Sequence, residues 1–119
     1  MIQPVRVDSL GIGLAFASVM SLTQQSARSI TAPSELGLET RVSFHEAAIA
    51  LLDGLSDGGT LSVDLGPTKR VDSAGLSVLM LIQRRAADRG QRVVLQHPSD
   101  EFRFLLALTQ LTDLFEVGN

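Results

Sequence analysis

From Leu61 to Leu65 the chain alternates, with Leu61, Val63 and Leu65 apolar and Ser62 and Asp64 polar, the period-two pattern of a strand that packs on one face. Gly66 and Pro67 stop it. After the loop the period changes: Leu76, Val78, Leu79 and Ile82 recur at helical spacing, which predicts a helix from Ser73 to about Arg89. Gly90 is its C-terminal stop, and Arg84, Arg85, Asp88 and Arg89 fall on its watery side. Ser73 stands where an N-cap is expected, its hydroxyl placed to bond an early backbone N–H. A helix start also offers unpaired N–H groups and a partial positive charge, a setting that favours an anion or a phosphoryl group.

The flanking patterns extend this strand–loop–helix unit. A short β-like run stops at Pro33, and a helix is predicted from near Leu38, with Val42, Ile49 and Leu52 on one face and Phe44, Ala48, Leu51 and Leu55 on the adjoining one. Ser56, Asp57, Gly58 and Gly59 end it. Arg92 to Gln96 reads as a β-branched strand. Pro98 and Ser99 then open a helix with Phe102, Leu105, Leu106 and Thr109 on one face and Phe104, Leu108 and Leu111 on a second. Leu114 to Val117 supplies a brief last strand. Before Ser29 the pattern is weaker, with a strand near Leu14 to Val19 and a polar bridge, Ser21 to Arg28, behind it. The order β-α-β-α-β-α-β predicts an α/β domain with a mainly parallel sheet and helices packed on it. Ligands and partners of such sheets meet the loops at the carboxyl ends of the strands, and the Gly66 to Gly75 loop leaves such an end.

Composition narrows the chemistry. A chain of 119 residues with 45% hydrophobic residues fits one domain with a real core. Ten basic residues against thirteen acidic ones, with no basic block and few aromatics, argue against nucleic-acid binding. The absence of cysteine removes disulfides, thiolate nucleophiles and cysteine zinc sites, and is in keeping with a cytoplasmic location. Two histidines, His45 and His97, have no second ligand near them in sequence, so neither a metal nor a cofactor is expected. Leu10 to Met20 is too short to span a bilayer, and with Arg6 offset by Asp8 and two glycines interrupting it, it lacks the pattern of a cleaved signal; no direct membrane insertion is expected. Asp64, Asp72 and His97 could converge near strand ends as an enzymatic site, but no nucleophile–base spacing, GxGxxG or P-loop accompanies them.

The stretch from Val63 to Phe115, with its strand ending at Asp64 and Leu65, VDSAGL, the RG turn after the helix and the tail HPSDEFRFLLALTQLTDLF, resembles the STAS domain of anti-sigma factor antagonists. PSELGLET upstream is similar to that family's loop between its second strand and first helix. The likeness covers about Ile30 to Val117, which sets residues 1–29 apart as an N-terminal strand or extension and 30–119 as the STAS domain. It implies the SpoIIAA-like STAS fold, a four- to five-stranded mixed, mainly parallel sheet with three to four helices. It also implies no enzymatic activity and a partner that is an anti-sigma factor with serine-kinase character. In the family the kinase phosphorylates a serine at the start of the second helix, and the added charge of about −1.5 to −2 releases the partner.

At the family's phosphorylated position, immediately before the glycine, this chain has Ala74, which cannot be phosphorylated. Gly37 likewise stands where the PSEL-type loop often has an acidic residue. Ser73 remains as the hydroxyl, either a structural cap or a phosphorylation site. The resemblance implies a partner-binding face of Glu35, Leu36, Asp72, Ser73, Ala74, Gly75 and Leu76. The same chain also resembles STAS accessory subunits of lipid-trafficking ABC transporters, which sit on the ATPase subunit. Their motif keeps Asp, hydroxyl and Gly-Leu without the second serine, as Asp72, Ser73, Gly75 and Leu76 do.

Overall fold

The computed structural model describes residues 25–118. Strands β1 (Gln25–Thr31), β3 (Leu55–Asp64), β5 (Arg92–Gln96) and β6 (Glu116–Val117) form one sheet in the order β1-β3-β5-β6, and every ladder in it is parallel. Helices α1 (Arg41–Asp53), α2 (Ser73–Asp88) and α3 (Asp100–Leu108) make the crossovers, with a 3-10 turn at Thr112–Leu114 before β6. Two further two-residue strands, β2 (Glu35–Leu36) and β4 (Arg70–Val71), pair in parallel apart from the main sheet.

The alternation seen in the sequence is the alternation of the sheet. Register places Ile30, Val63, Leu95 and Val117 in one cross-strand row facing the helices. Leu61, Val63, Val93 and Leu95 are all but fully buried there, against Phe44, Ala48 and Leu52 of α1, Leu79 and Ile82 of α2, and Phe102 and Leu106 of α3. The opposite row of Ser29, Ser62, Val94 and Glu116 is exposed or half-exposed. Parallel sheets covered on both faces read as continuous apolar runs. The polar alternates in β3 thus report that the described helices cover one face only.

Helix ends are set locally. Ser99 caps α3 by accepting the Phe102 N–H at 3.0 Å. Gly90, at φ 68°, ends α2, and the Gln91 N–H returns to the Ala86 carbonyl at 2.8 Å. The buried Gln91 side chain then donates from Nε2 to the carbonyls of Leu52 (2.9 Å) and Leu55 (3.2 Å), satisfying the C-terminal end of α1.

Several boundaries differ from the sequence reading. Gln25 to Arg28, read as part of a polar bridge, belong to β1; a strand at the edge of the described sheet needs few apolar residues. The first helix starts at Arg41 rather than Leu38, because Gly37 to Thr40 form a turn. The Ser56–Gly59 segment does not end a helix but lies within β3, where the register with β1 shifts. Val42, read on one apolar face of the first helix, is 60% exposed, and Phe104 and Leu108, read on the second face of the last helix, are 67% and 68% exposed. Arg84, Asp88 and Arg89 are exposed, and Arg85 on the same side reaches across to α1, its guanidinium donating to Asp53 at 2.6 Å in an exposed ion pair. The strand expected near Leu14 to Val19 lies outside the described residues.

Candidate functional site

The β2–β4 ladder builds a second small layer beside the carboxyl end of β3, and it does so mainly through backbone. Glu35 pairs with Arg70 and Leu36 with Val71. The Lys69 N–H donates to the Ser34 carbonyl at 2.7 Å, and the buried Thr68 hydroxyl donates to the Pro33 carbonyl at 2.8 Å. In the following turn Thr40 Oγ1 accepts from the Gly37 N–H at 3.0 Å and donates to the Glu35 carbonyl at 2.8 Å. These bonds hold the Pro33–Thr40 loop against the segment that leads into α2.

A carboxylate adds a side-chain link between the two segments. Asp72, not Ser73, is the N-cap of α2: its Oδ1 accepts the Gly75 N–H at 2.9 Å, while Oδ2 accepts the Leu38 N–H at 3.3 Å. Asp72 has extended backbone, φ −94° and ψ −175°, as a cap requires, and Ser73 is already the first helical residue. The expectation that Ser73 caps the helix fails for that reason. Gly75 allows the approach, since a Cβ there would overlap the Leu36 carbonyl oxygen. Gly37 does the same for the Asp72 carboxylate, which occupies the space its Cβ would need. The missing acidic residue in the PSEL-type loop thereby acquires a physical reason: a side chain at 37 would collide with Asp72, and an acidic one would also repel it.

Electrostatics follow the geometry. The Gly75 N–H, helped by the amides of Leu38 and Ala74 and by the Arg41 charge, holds the Asp72 carboxyl below its ordinary range. At the end of β3 the Gly66 N–H, at 2.8 Å, and then His97, with Nδ1 at 3.1 Å, do the same for Asp64. Asp64 and His97 do come together, as the sequence allowed, with His97 in the left-handed region at φ 54°. Asp72 does not join them; its oxygens are engaged by Leu38 and Gly75.

Exposure sorts the seven residues expected on the partner face. Glu35, Asp72 and Ser73 are exposed and Ala74 is half-buried, whereas Leu36, Gly75 and Leu76 are buried. The latter three shape the surface from beneath and do not present side chains to it. The exposed apolar residues around it were missed as surface: Leu38 at 65%, Val42 at 60% and, one groove away, Leu81 at 51%. The available signal was the repeat Phe44, Ala48, Leu52, which fills one stripe of α1 and leaves Val42 off it.

The family model described as "Mlab, STAS domain" matches residues 20–116. The chain belongs to the STAS family. Solved structures agree at the level of fold. A candidate anti-sigma factor antagonist from Thermotoga maritima superposes with a TM-score of 0.65 at 18% identity, over 76% of this chain and 79% of that one. SpoIIAA, an anti-sigma factor antagonist, in its unphosphorylated form gives 0.63 at 13% identity over 81% and 82%. A sulfate transporter family protein from Wolinella succinogenes gives 0.58 at 16% identity over 94% and 80%. Among curated proteins no sequence match is found. The STAS fold is a protein-interaction fold, and no helix among the described residues of this STAS domain is long and apolar enough to cross a membrane.

Proposed function

We propose that this STAS domain is a non-catalytic docking protein, an anti-sigma factor antagonist that holds a kinase-like anti-sigma factor through Glu35, Leu38 and the Asp72–Ala74 start of α2, without the phosphoserine switch. The observation that carries the reading is Ala74. It sits half-buried on the same surface as exposed Ser73, directly ahead of the buried Gly75, at the position where the resembling antagonists carry the modified serine. The Gly75 N–H that a modified side chain would meet is already taken by Asp72, and a phosphate on Ser73 would stand beside that carboxylate. Docking is therefore constitutive, set by partner concentration.

Ala74 also favours a second reading. The transporter-type motif keeps the hydroxyl at Ser73 and lacks the second serine, so an ATPase subunit of a lipid-trafficking ABC transporter fits the same surface. Affinity purification of the full chain with mass spectrometry separates the two. Co-purification of a kinase-like anti-sigma factor, unchanged by ATP and with Ser73 unmodified, is the expected result. An ATPase subunit in its place would establish the second reading, and stoichiometric phosphate on Ser73 coupled to partner release would overturn the constitutive one.

A further inference from the structure

The first strand gives way at Pro33, which has no N–H to offer a neighbour; the Ala32 N–H, bonded to the Asp64 carbonyl at 2.9 Å, is its last contact with the end of β3. Beyond that point the chain carries Glu35 and Leu38 outward on a ladder of two residue pairs, Glu35 with Arg70 and Leu36 with Val71. A two-stranded pair this short is marginal by itself. Two threonine hydroxyls supplement it. Thr68 Oγ1 donates to the Pro33 carbonyl at 2.8 Å, and Thr40 Oγ1 accepts from the Gly37 N–H at 3.0 Å while donating to the Glu35 carbonyl at 2.8 Å. The exposed docking residues Glu35 and Leu38 therefore lie between a hydroxyl clasp at each end of their loop.

Burial says what the Thr68 hydroxyl is for. Thr68 is 6% exposed, and it and Gln91 are the buried polar residues among those described. A buried hydroxyl costs free energy unless it is bonded, and valine supplies the same shape without one. Gln91 uses its amide to satisfy the end of α1. Thr68 uses its hydroxyl on a carbonyl 35 residues away, at the root of the loop that carries Glu35 and Leu38. So little of Thr68 reaches the surface that its effect on binding passes through that loop.

We propose that Thr68 and Thr40 are positioning residues for docking: their hydroxyls hold the Pro33–Thr40 loop in the conformation that presents Glu35 and Leu38, and so set how fast the partner binds. The inference rests on the docking reading above and adds to it two hydroxyls spent on the loop itself. A partner that takes the held loop binds in proportion to the fraction of molecules in which the loop is held. Loss of one clasp lowers that fraction and slows association, while the complex once formed keeps its contacts and its dissociation rate. Loss of a contact acts mainly on dissociation instead.

The test compares Thr68→Val, Thr68→Ser and Thr40→Val with the parent, each as the full chain. Hydrogen–deuterium exchange follows the loop amides together with those of Lys69 and Arg70, which bond the Ser34 carbonyl. Surface plasmon resonance follows binding of the partner that co-purifies with the parent chain. Both valine variants should exchange faster in this region and associate more slowly by roughly threefold to tenfold, the worth of one hydrogen bond, with unchanged dissociation and the parent's circular dichroism. Thr68→Ser, which keeps the hydroxyl, should restore both readouts, and Leu38→Ala, which removes a contact and no clasp, should speed dissociation. If Thr68→Val does not fold, Thr40→Val, at a half-buried position, carries the same readouts. Unchanged exchange in the valine variants, or no rescue by serine, overturns the proposal. Faster exchange with unchanged association, or affinity lost through dissociation alone, also overturns it and leaves the docking reading standing. A parent chain that captures no partner overturns the docking reading, and this proposal with it.

Discussion

Asp72 holds two segments with one carboxylate, accepting from the Gly75 N–H of α2 and from the Leu38 N–H of the preceding loop. Asp72→Ala should lower the melting temperature measurably, while Ser73→Ala, removing a hydroxyl that caps nothing, should leave the melting curve within error of the parent. The two curves side by side check the assignment of the cap. Gly75 is the second constraint at this scale. Gly75→Ala places a methyl against the Leu36 carbonyl, so the start of α2 must move off β2, at a cost of about 1–3 kcal/mol by chemical denaturation. VDSAGL announced a helix start, and Ser73 was read as its cap although Asp72 stands directly before it. Backbone geometry assigns the cap to Asp72, which is extended, because Ser73 is already helical. The role of Gly37 was out of reach for a similar reason, as the carboxylate it makes room for belongs to Asp72, far along the chain.

Elements were legible where a strong period ran for two turns or more. The α2 stripe of Leu76, Leu79 and Ile82 and the β3 alternation appear in the structure as read, because burial on one face imposes both patterns directly. The two-residue strands β2 and β4 were not legible: two residues have no period, and their pairing is a long-range event. Val42 was read on an apolar face together with Ile49 and Leu52, although the Phe44, Ala48 and Leu52 repeat that fills the buried stripe leaves it out. A large-to-small test separates buried from exposed apolar positions. Leu79→Ala, fully buried between α2 and the sheet, should cost about 2–5 kcal/mol. Val42→Ala, mostly exposed, should cost well under about 1 kcal/mol in the same denaturant titration.

For the whole molecule, acid is the informative perturbation. Asp64, Asp72 and Glu116 all have lowered pKa values, from the Gly66 N–H, the Gly75 N–H and the Arg92 guanidinium respectively. Arg92 meets Glu116 across β5 and β6 by a two-point contact, Nε donating to Oε2 at 2.8 Å. A carboxylate with a folded pKa below its unfolded value of about 4 stabilises the fold above that pH, and the stabilisation is lost as pH falls through the folded value. Melting temperature should therefore hold from about pH 7 to about 5 and drop below about 4, with a shallower drop in Asp72→Asn; an identical slope in that variant would remove Asp72 as a contributor. If the proposed docking function holds, Ser73→Glu should weaken partner capture in a pull-down while circular dichroism is unchanged, since Ser73 is exposed at the start of α2. Periodicity and punctuation were enough to establish the class of fold, the strand–loop–helix unit at its centre and the alanine that stands ahead of its glycine, because each is a property of neighbouring residues. Which residues of that unit face outward, and which carboxylate and hydroxyl tie it to the Pro33–Thr40 loop, arise from segments distant in the chain. Those became visible only once α1, β2 and α2 were packed together.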